Sequence, residues 1–545
     1  MARSAPDVPP VAEPPSARGA PPVAEPRSAL LGAPRVALIG ARRLSAVVFV
    51  AGAGSLAIEI AASRLLAPYF GNSTVVWANV IGLILIYLSV GYWVGGRIAD
   101  RHASPRVLGR LLLAAAAVIT VLPFIAKPVL DLAVRGFDAV SAGAVVGSFF
   151  ATIALFSVPV TLLGMVSPFA IRLALRDLDQ AGTVSGRLYA LSTGGSIVGT
   201  FVPAVITIPS IGTQRTMLGT AALLALAGAS LLGVRWLVVA AVAVGLLFVP
   251  PGAVKDGGTS LLFETESTYQ YVRVTQASDG ARRLELNEGV SQQSVWRPNT
   301  VLTGGEWDMF LVVPPLLDHP VRDVLVIGSA GGTIPRAYSV FYPGVHIDGV
   351  EIDPAVTAAA RRFMALDDIP NLHTVTEDGR GFLRATSKRY DLILIDAYRE
   401  EYVPFYMATQ EFFQLVHSHL RAGCAVALNV AQTPEDHRLP EAVGGTLATV
   451  FPQVWNWPAL HFNQLVVGLD TPSGMPALAG RLRARMAPDT VVLGDLFSWQ
   501  AKPAPASSDP MTDDRAPIEW ITDRMIIEHI AQGHGLNEQL LPTAP

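Results

Sequence analysis

A single cysteine, Cys424, stands in 545 residues, which excludes an intramolecular disulfide and a thiolate metal cluster. It lies in the apolar run Cys424-Ala-Val-Ala-Leu428 and reads as a buried strand residue. Charge is scarce as well: 15% of residues are charged against 51% hydrophobic, and acids and bases are few between about Leu44 and Val254. The formal net charge of −4 leaves no electrostatic footprint for nucleic acid. No glycine-rich loop carries the lysine that grips polyphosphate, which argues against a nucleoside triphosphate. No metal site is expected.

What remains is enough chain for at least two domains, since 545 residues exceed one ordinary hydrophobic core. Residues 1 to about 34 repeat Pro, Ala, Glu and Arg and bury too little apolar area to offset chain entropy, so they read as a disordered tail. A cleaved signal peptide fits poorly, because the first long apolar stretch follows Arg42 and Arg43 and is too long for a signal core. Seven apolar runs follow, near 44–66, 75–95, 107–128, 139–165, 188–210, 216–234 and 236–251. Most approach the roughly 20 residues that cross a bilayer, and the last is the weakest. Dense Gly and Ala, as at Gly194-Gly195 and Gly199, suit helices that pack closely in lipid.

Arginines place the helix ends. Arg35, Arg42 and Arg43 precede the first run, Arg97, Arg101, Arg106 and Arg110 follow the second, and Arg172, Arg176 and Arg187 follow the fourth. These three regions are expected to be cytoplasmic. The stretch Gly95-Gly-Arg-Ile-Ala-Asp-Arg101 through Arg106 resembles the loop between the second and third helices of major-facilitator transporters. Glu59 and Arg64 are the intramembrane candidates, read either as a structural pair or as part of a substrate passage. Seven full crossings would put the C-terminal half outside the cell. Arg235 interrupts the apolar stretch from Thr216 to Val254 and leaves fewer residues before Pro250-Pro251 than a crossing needs, so this stretch is expected to contain a re-entrant or interfacial segment, or an earlier run to fall short. Either leaves Phe263 onward in the cytoplasm of an inner-membrane, multi-pass protein.

From about Phe263 the pattern becomes β-like. Tyr271-Val-Arg-Val-Thr275, a Ser-Asp-Gly turn, Arg283-Leu-Glu-Leu286 and Asn287-Glu-Gly289 predict a small β-hairpin subdomain. Strands then alternate with helices: Asp323–Ile327, a helix from about Pro335, His346–Glu351, a helix from Pro354, Leu372–Thr376 and Tyr390–Asp396. A helix around Gln410–His419, a strand at Ala425–Val430 and strands near 453–457 and 464–469 complete a doubly wound parallel sheet.

Ligands of such sheets bind beyond the carboxyl ends of the strands. The first strand ends in Gly328-Ser-Ala-Gly331-Gly332, a turn that lets backbone approach a ligand closely. The second ends in Glu351-Ile-Asp353, where an acid can accept from both ribose hydroxyls. The third ends in Glu377-Asp378-Gly379, where a carboxylate can accept from an adenine amino group. Together they predict nucleoside binding.

These motifs resemble the spermidine synthase family over roughly residues 262–470, through Tyr269-Gln270, Leu286-Asn-Glu-Gly289, the Gly328 turn, Glu351-Ile-Asp353, Asp378-Gly379 and Tyr390-Asp-Leu-Ile-Leu-Ile-Asp396. Helices in front of such a domain look like the bacterial fused transporter and spermidine-synthase-like group. Asp396-Ala-Tyr398, Val403-Pro-Phe405 and Thr512-Asp-Asp-Arg-Ala-Pro-Ile-Glu519 add to that likeness. The resemblance implies an aminopropyltransferase using decarboxylated S-adenosylmethionine. Asp396 would position and deprotonate the acceptor amine, and Gln270, Gly328, Gly331, Gly332, Glu351, Asp353, Asp378 and Gly379 would bind the donor. Tyr269, Tyr398 and Arg399 would flank the acceptor.

Two positions depart from the family pattern. Its acid in the first glycine turn, which holds the donor amine, is replaced by Gly331, and a second acid three positions after Asp396 is replaced by Arg399. A cation at Arg399 repels a polyamine, so an acidic or unusual acceptor in place of putrescine stays open. An S-adenosylmethionine-dependent methyltransferase and a non-catalytic polyamine or nucleoside transporter or sensor are the alternatives. Expected partners are a small-molecule amine or related acceptor and the lipid bilayer, with homo-oligomerisation open. The chain is expected to divide into a cytoplasmic tail over 1–43, a polytopic helical membrane domain over 44–254, a β-hairpin subdomain over 262–300, an α/β domain with a methyltransferase-like (Rossmann-like) sheet over 301–530, and a tail over 531–545.

Overall fold

Helix α1 (Ala41–Phe70) opens the computed structural model, which describes residues 40–70, 74–137, 143–175, 178–250, 260–287, 292–398 and 403–532. The tail expected over 1–43 lies almost wholly outside the described residues, as do Glu288, Gly289, Arg399 and most of 531–545. After α1 come α2 (Thr74–Arg101), α3 (Pro105–Phe137), α4 (Gly143–Gly164), α5 (Val166–Ala174), α6 (Ala181–Phe201), α7 (Ile208–Leu232) and α8 (Leu237–Leu246). Five helical stretches among the described residues are long and apolar enough to cross a membrane. The longest, Ala181–Leu232, is broken at Gly212, whose φ of +84° no helix accommodates.

Glycine sets the helix spacing. A Cβ on Gly195 or Gly199 would lie 2.0 Å from the carbonyl oxygen of Phe49 or Ala53, so α6 packs backbone to backbone on α1. Gly91 and Gly95 do the same for α2 against the end of α4 and Met165.

Three contacts fix the direction of each pass. Arg172 pairs with Asp100 at 3.6 Å, joining the α5 end to the α2–α3 turn. Gly228 of α7 backs onto Gly109 near the start of α3. Arg215 donates to the carbonyl of Leu247 at 3.3 Å, so the chain after α8 has returned to the level of the α7 break. The chain therefore traverses the bundle seven times. The return toward that level is made by α8, of 10 residues, and the turn Leu247–Val249.

The α/β half docks on the face where α1 ends. Arg64 donates to the carbonyl of Thr268. Glu266 accepts from the Thr213 amide at 2.6 Å and from its hydroxyl at 2.7 Å, capping the part of α7 beyond the Gly212 break. Arg42 and Arg64 are 22 positions apart on one helix, about 33 Å at 1.5 Å per residue. The start of α1 and the α/β half consequently lie at opposite ends of that helix. Arg64 is not the intramembrane partner of Glu59. Five positions are 1.4 turns of helix, so the two side chains diverge, and Arg64 reaches the other half of the protein.

The second half begins with a four-stranded antiparallel meander, β1 (Ser260–Glu266), β2 (Tyr271–Gln276), β3 (Arg282–Leu286) and β4 (Gln292–Trp296), two strands more than the expected hairpin. Short helices α9 (Glu306–Met309) and α10 (Val313–Leu316) lead to β5 (Asp323–Ile327), α11 (Thr333–Phe341), β6 (His346–Glu351), α12 (Pro354–Phe363), β7 (Leu372–Thr376), α13 (Gly379–Ala385) and β8 (Tyr390–Ile395). Then follow α14 (Gln410–Ser418), β9 (Leu420–Ala431), α15 (Arg438–Leu447), β10 (Gln453–Trp457), β11 (Asn463–Leu469), α16 (Met475–Arg485), α17 (Val491–Gln500), β12 (Lys502–Pro503) and α18 (Ile518–Ala531).

The large sheet runs β12-β10-β11-β9-β8-β5-β6-β7. Its five strands from β7 to β9 are parallel, while β11, β10 and β12 pair antiparallel, so the doubly wound sheet is mixed rather than wholly parallel. Val324, Val326, Leu392 and Leu394 enter the core on one face, and Leu325, Ile327, Ile393 and Ile395 the core on the other. This explains the unbroken apolar runs of β5 and β8: a strand covered on both faces has no polar side. Cys424 is buried in β9. Val272, Val274, Leu284 and Leu286 of the meander pack on Val356, Ala359 and Met364 around α12, which swings the β1–β2 turn over the ends of β5 and β6.

Candidate functional site

The carboxyl ends of β5, β6 and β8, the β1–β2 turn and the loop before α14 enclose a cavity of about 410 Å³. Small-molecule sites occupy about 300–1,000 Å³. Gly328, Glu351, Asp378, Gly379, Asp396 and Tyr398 line it, with Tyr269 and Gln270 from the β1–β2 turn. Ser63 and Arg64 of α1 and Trp77 of α2 line it too.

Glu351 organises the floor. One carboxylate oxygen accepts from the Ala330 amide at 3.1 Å and the other from the Asp353 amide at 3.0 Å. Burial pushes this carboxyl up to about 7, against the pull of those amides. Gly328, at φ +85°, leaves no room for a side chain, because a Cβ would sit 2.3 Å from the Asp396 carbonyl oxygen. Asp378 accepts from the Gly381 amide at 2.8 Å, capping α13, and from the Tyr406 hydroxyl at 3.1 Å. Behind that loop Arg380 makes a paired contact with Asp513 at 2.8 and 2.6 Å, which gives the late Thr512–Glu519 stretch a structural task.

Three expected donor residues are placed elsewhere. Asp353 is 0% exposed, and its carboxylate is taken up by the Ala355 amide at 2.9 Å, the Ser267 hydroxyl at 2.6 Å and the Gln270 amide group at 3.4 Å. It anchors the β1–β2 turn and caps α12. Gly331 and Gly332 do not line the cavity: a Cβ on the first would strike Met364 and Ser294, and on the second Leu366 and Ile369. They close the turn onto its neighbours. Of the acceptor-side residues, Tyr269 is 45% exposed at the rim. Tyr398 donates to the Asn429 carbonyl at 3.1 Å, and Arg399 lies outside the described residues.

Asp396 follows β8. Its amide donates to the Ile327 carbonyl at 2.9 Å, and its carboxylate accepts from the Asn429 side chain at 2.9 Å and faces the Trp307 indole. Asn463 donates to the Asn429 oxygen at 3.0 Å and so fixes which end of that amide meets Asp396. Burial pushes the Asp396 carboxyl up to about 6, despite those two donors. A carboxylate so poised can hold a cation and take a proton near neutrality.

The sequence reading missed Glu306. It opens α9 beside Trp307, lies within electrostatic reach of Asp396 and Tyr398, and accepts from its own amide. Burial first, and Asp396 and Asp308 after it, push its carboxyl up to about 8. Nothing local marks Glu306, since the segment between meander and sheet has no periodicity. Glu306-Trp307 becomes visible only when α9 is folded against the end of β8.

Comparison with known proteins places the match over this half of the chain. Residues 308–457 match the family described as spermine/spermidine synthase domain. A protein of Bifidobacterium longum named "Probable polyamine aminopropyl transferase" is 35% identical over 194 residues, 35% of this chain and 43% of that protein. A "Polyamine aminopropyltransferase" of Vibrio vulnificus is 30% identical over 162 residues, 29% of this chain and 53% of its own. The chain thus spans about half the length of these curated relatives. Among solved structures, a probable spermidine synthase from Corynebacterium glutamicum aligns with 99% of its chain and 47% of this one, at 17% identity and a TM-score of 0.37. The C-terminal half is spermidine synthase-like.

Proposed function

We propose that this chain is a membrane-anchored aminopropyltransferase that takes an S-adenosyl-type donor and a primary amine acceptor. The observation that carries the reading is one cavity holding both Glu351, poised for a ribose, and Asp396, poised for an amine. The polyamine aminopropyltransferases among its relatives support it.

In this reading Glu351 accepts from the ribose hydroxyls and Asp378 meets the adenine edge. The donor brings a sulfonium centre, so the propyl carbon beside sulfur is the electrophile. The acceptor arrives as an ammonium ion and passes one proton to Asp396, which frees its lone pair. The C–N bond forms as the C–S bond breaks, and the bonding electrons neutralise sulfur to give a thioether nucleoside. Product leaves as a secondary ammonium ion, and Asp396 releases its proton to solvent. Glu306 supplies the second acceptor-side carboxylate, whose negative charge favours a polyamine-type cation.

Methyl transfer is the second reading, favoured by the absence of a carboxylate at Gly331 to hold the amine of a decarboxylated donor. The helical half serves as anchor, and its short likeness to a transporter loop leaves a transport task to be measured by vesicle uptake. Mass spectrometry after incubating the full-length protein with putrescine and each donor tests the choice. Methylthioadenosine with spermidine supports aminopropyl transfer. S-adenosylhomocysteine would replace it with methyl transfer, and no product from either donor would overturn the enzyme reading.

A further inference from the structure

The α/β half does not build its cavity alone. We propose that Arg64, on the first helix of the N-terminal bundle, is a positioning residue of the nucleoside pocket. Its guanidinium donates to the Thr268 carbonyl at the tip of the β1–β2 turn. On the inner side of that turn the Ser267 hydroxyl and the Gln270 side chain both reach Asp353, at 2.6 and 3.4 Å. The amides of Tyr269 and Gln270 donate to the Ser267 hydroxyl at 3.0 Å. The turn is therefore clamped between Asp353 within its own half and Arg64 from the bundle. Tyr269 and Gln270, the residues it presents, line the same cavity as Glu351. Trp77 of α2 extends the same wall and is 37% exposed. Arg64 also borders a second cavity of about 560 Å³ between the helix ends and β1.

The proposal rests on reading this cavity as a nucleoside pocket, and the test separates the two claims. Methylthioadenosine is titrated calorimetrically into the full-length parent and its R64A and R64K variants. R64A is expected to weaken binding about tenfold, the loss of one charge-assisted bond to the turn, with R64K recovering most of it. The donor KM should rise by the same factor in R64A and return toward the parent value in R64K. Equal affinity in parent and R64A overturns the role of Arg64 and leaves the nucleoside reading standing. A melting temperature that falls equally in R64A and R64K reduces Arg64 to a docking residue and also overturns it. No binding by the parent overturns both claims.

An independent observation concerns the side of the membrane on which the pocket opens. Arg42, Arg43, Arg97, Arg101, Arg106, Arg110, Arg172, Arg187 and Arg235 all belong to helix ends and turns on the face away from the α/β half. By position on their helices, Arg64, Lys127 and Arg215 lie toward it. Basic residues concentrate in cytoplasmic turns. The geometry points to an α/β half outside the cytoplasm, with the pocket opening against the outer ends of α1 and α2. An S-adenosyl donor is made in the cytoplasm, so a transport step must supply the pocket. Alkaline phosphatase and green fluorescent protein are fused in turn to the C-terminus and into the α2–α3 turn at His102. An active C-terminal phosphatase with a fluorescent insertion at His102 is the expected pair. The reverse pair overturns the orientation and leaves the transferase reading untouched, and two positions reporting one side overturn the seven-pass fold.

Discussion

Gly328 and Asp396 press against each other: a Cβ added to Gly328 would lie 2.3 Å from the Asp396 carbonyl oxygen. In the proposed reaction the donor-side turn and the acceptor-side acid are thereby in direct backbone contact. Gly328→Ala is expected to move the Asp396 backbone. It carries two costs, a left-handed φ of +85° and the clash, together at least about 1–3 kcal/mol of stability. Chemical denaturation and turnover measured together check this. Wild-type stability with wild-type turnover would show that the contact relaxes freely.

Glu351 should make nucleoside affinity depend on pH. Its carboxyl sits near 7 in the free protein, raised by burial, and the ribose hydroxyls need the ionised form. Binding therefore strengthens as pH rises through 7, and methylthioadenosine should bind about tenfold more weakly at pH 6 than at pH 8. Glu351→Gln removes that slope and weakens binding at pH 8, because a neutral amide replaces a charge-assisted acceptor. Isothermal titration at three pH values decides it, and a flat profile in the parent protein would remove Glu351 from the ribose.

How far this site could be read from sequence follows its local signals. Strand ends are local: Asp323–Ile327 and Tyr390–Ile395 announce themselves as apolar runs ending in a glycine or an acid, so Glu351, Asp378 and Asp396 could be found. Orientation is not local. Asp353 follows Glu351 by two positions in the same motif, but its side chain turns inward to cap α12. Gly331 and Gly332 share a turn with Gly328 and face Met364 and Leu366 instead of the cavity. The antiparallel direction of β11 is carried by the path of the intervening chain, and neither Arg64 nor Glu306 shows its role until distant segments fold onto the strand ends.

Asp396→Asn should leave nucleoside affinity within about twofold of the parent, since the amide keeps the contacts with Asn429 and Trp307 in shape if not in polarity. Turnover should fall by about 10²–10⁴, the range for losing a general base. In the parent enzyme turnover should rise with pH through about 6, where Asp396 ionises. Equal turnover in the variant would take the proton transfer away from Asp396.

Glu306 offers the sharpest discrimination because its titration is displaced from that of Asp396. The pair loses its protons in two steps, near 6 for Asp396 and near 8 for Glu306, so between those values one negative charge is present and above 8 there are two. An ammonium acceptor binds better to two charges, and its KM should fall as pH rises through 8. Glu306→Gln abolishes that fall while keeping the turnover limb near 6, which belongs to Asp396. Acceptor KM should rise about tenfold or more at pH 8.5 and by less at pH 6.5, from the loss of one charge-assisted contact. Donor KM stays constant, because Glu306 does not line the nucleoside cavity. Steady-state kinetics with putrescine varied at each pH measure these quantities. A uniform rise in KM across the pH range would mean that Glu306 acts only through packing against Trp307, and the acceptor would then owe its charge recognition to Asp396 alone.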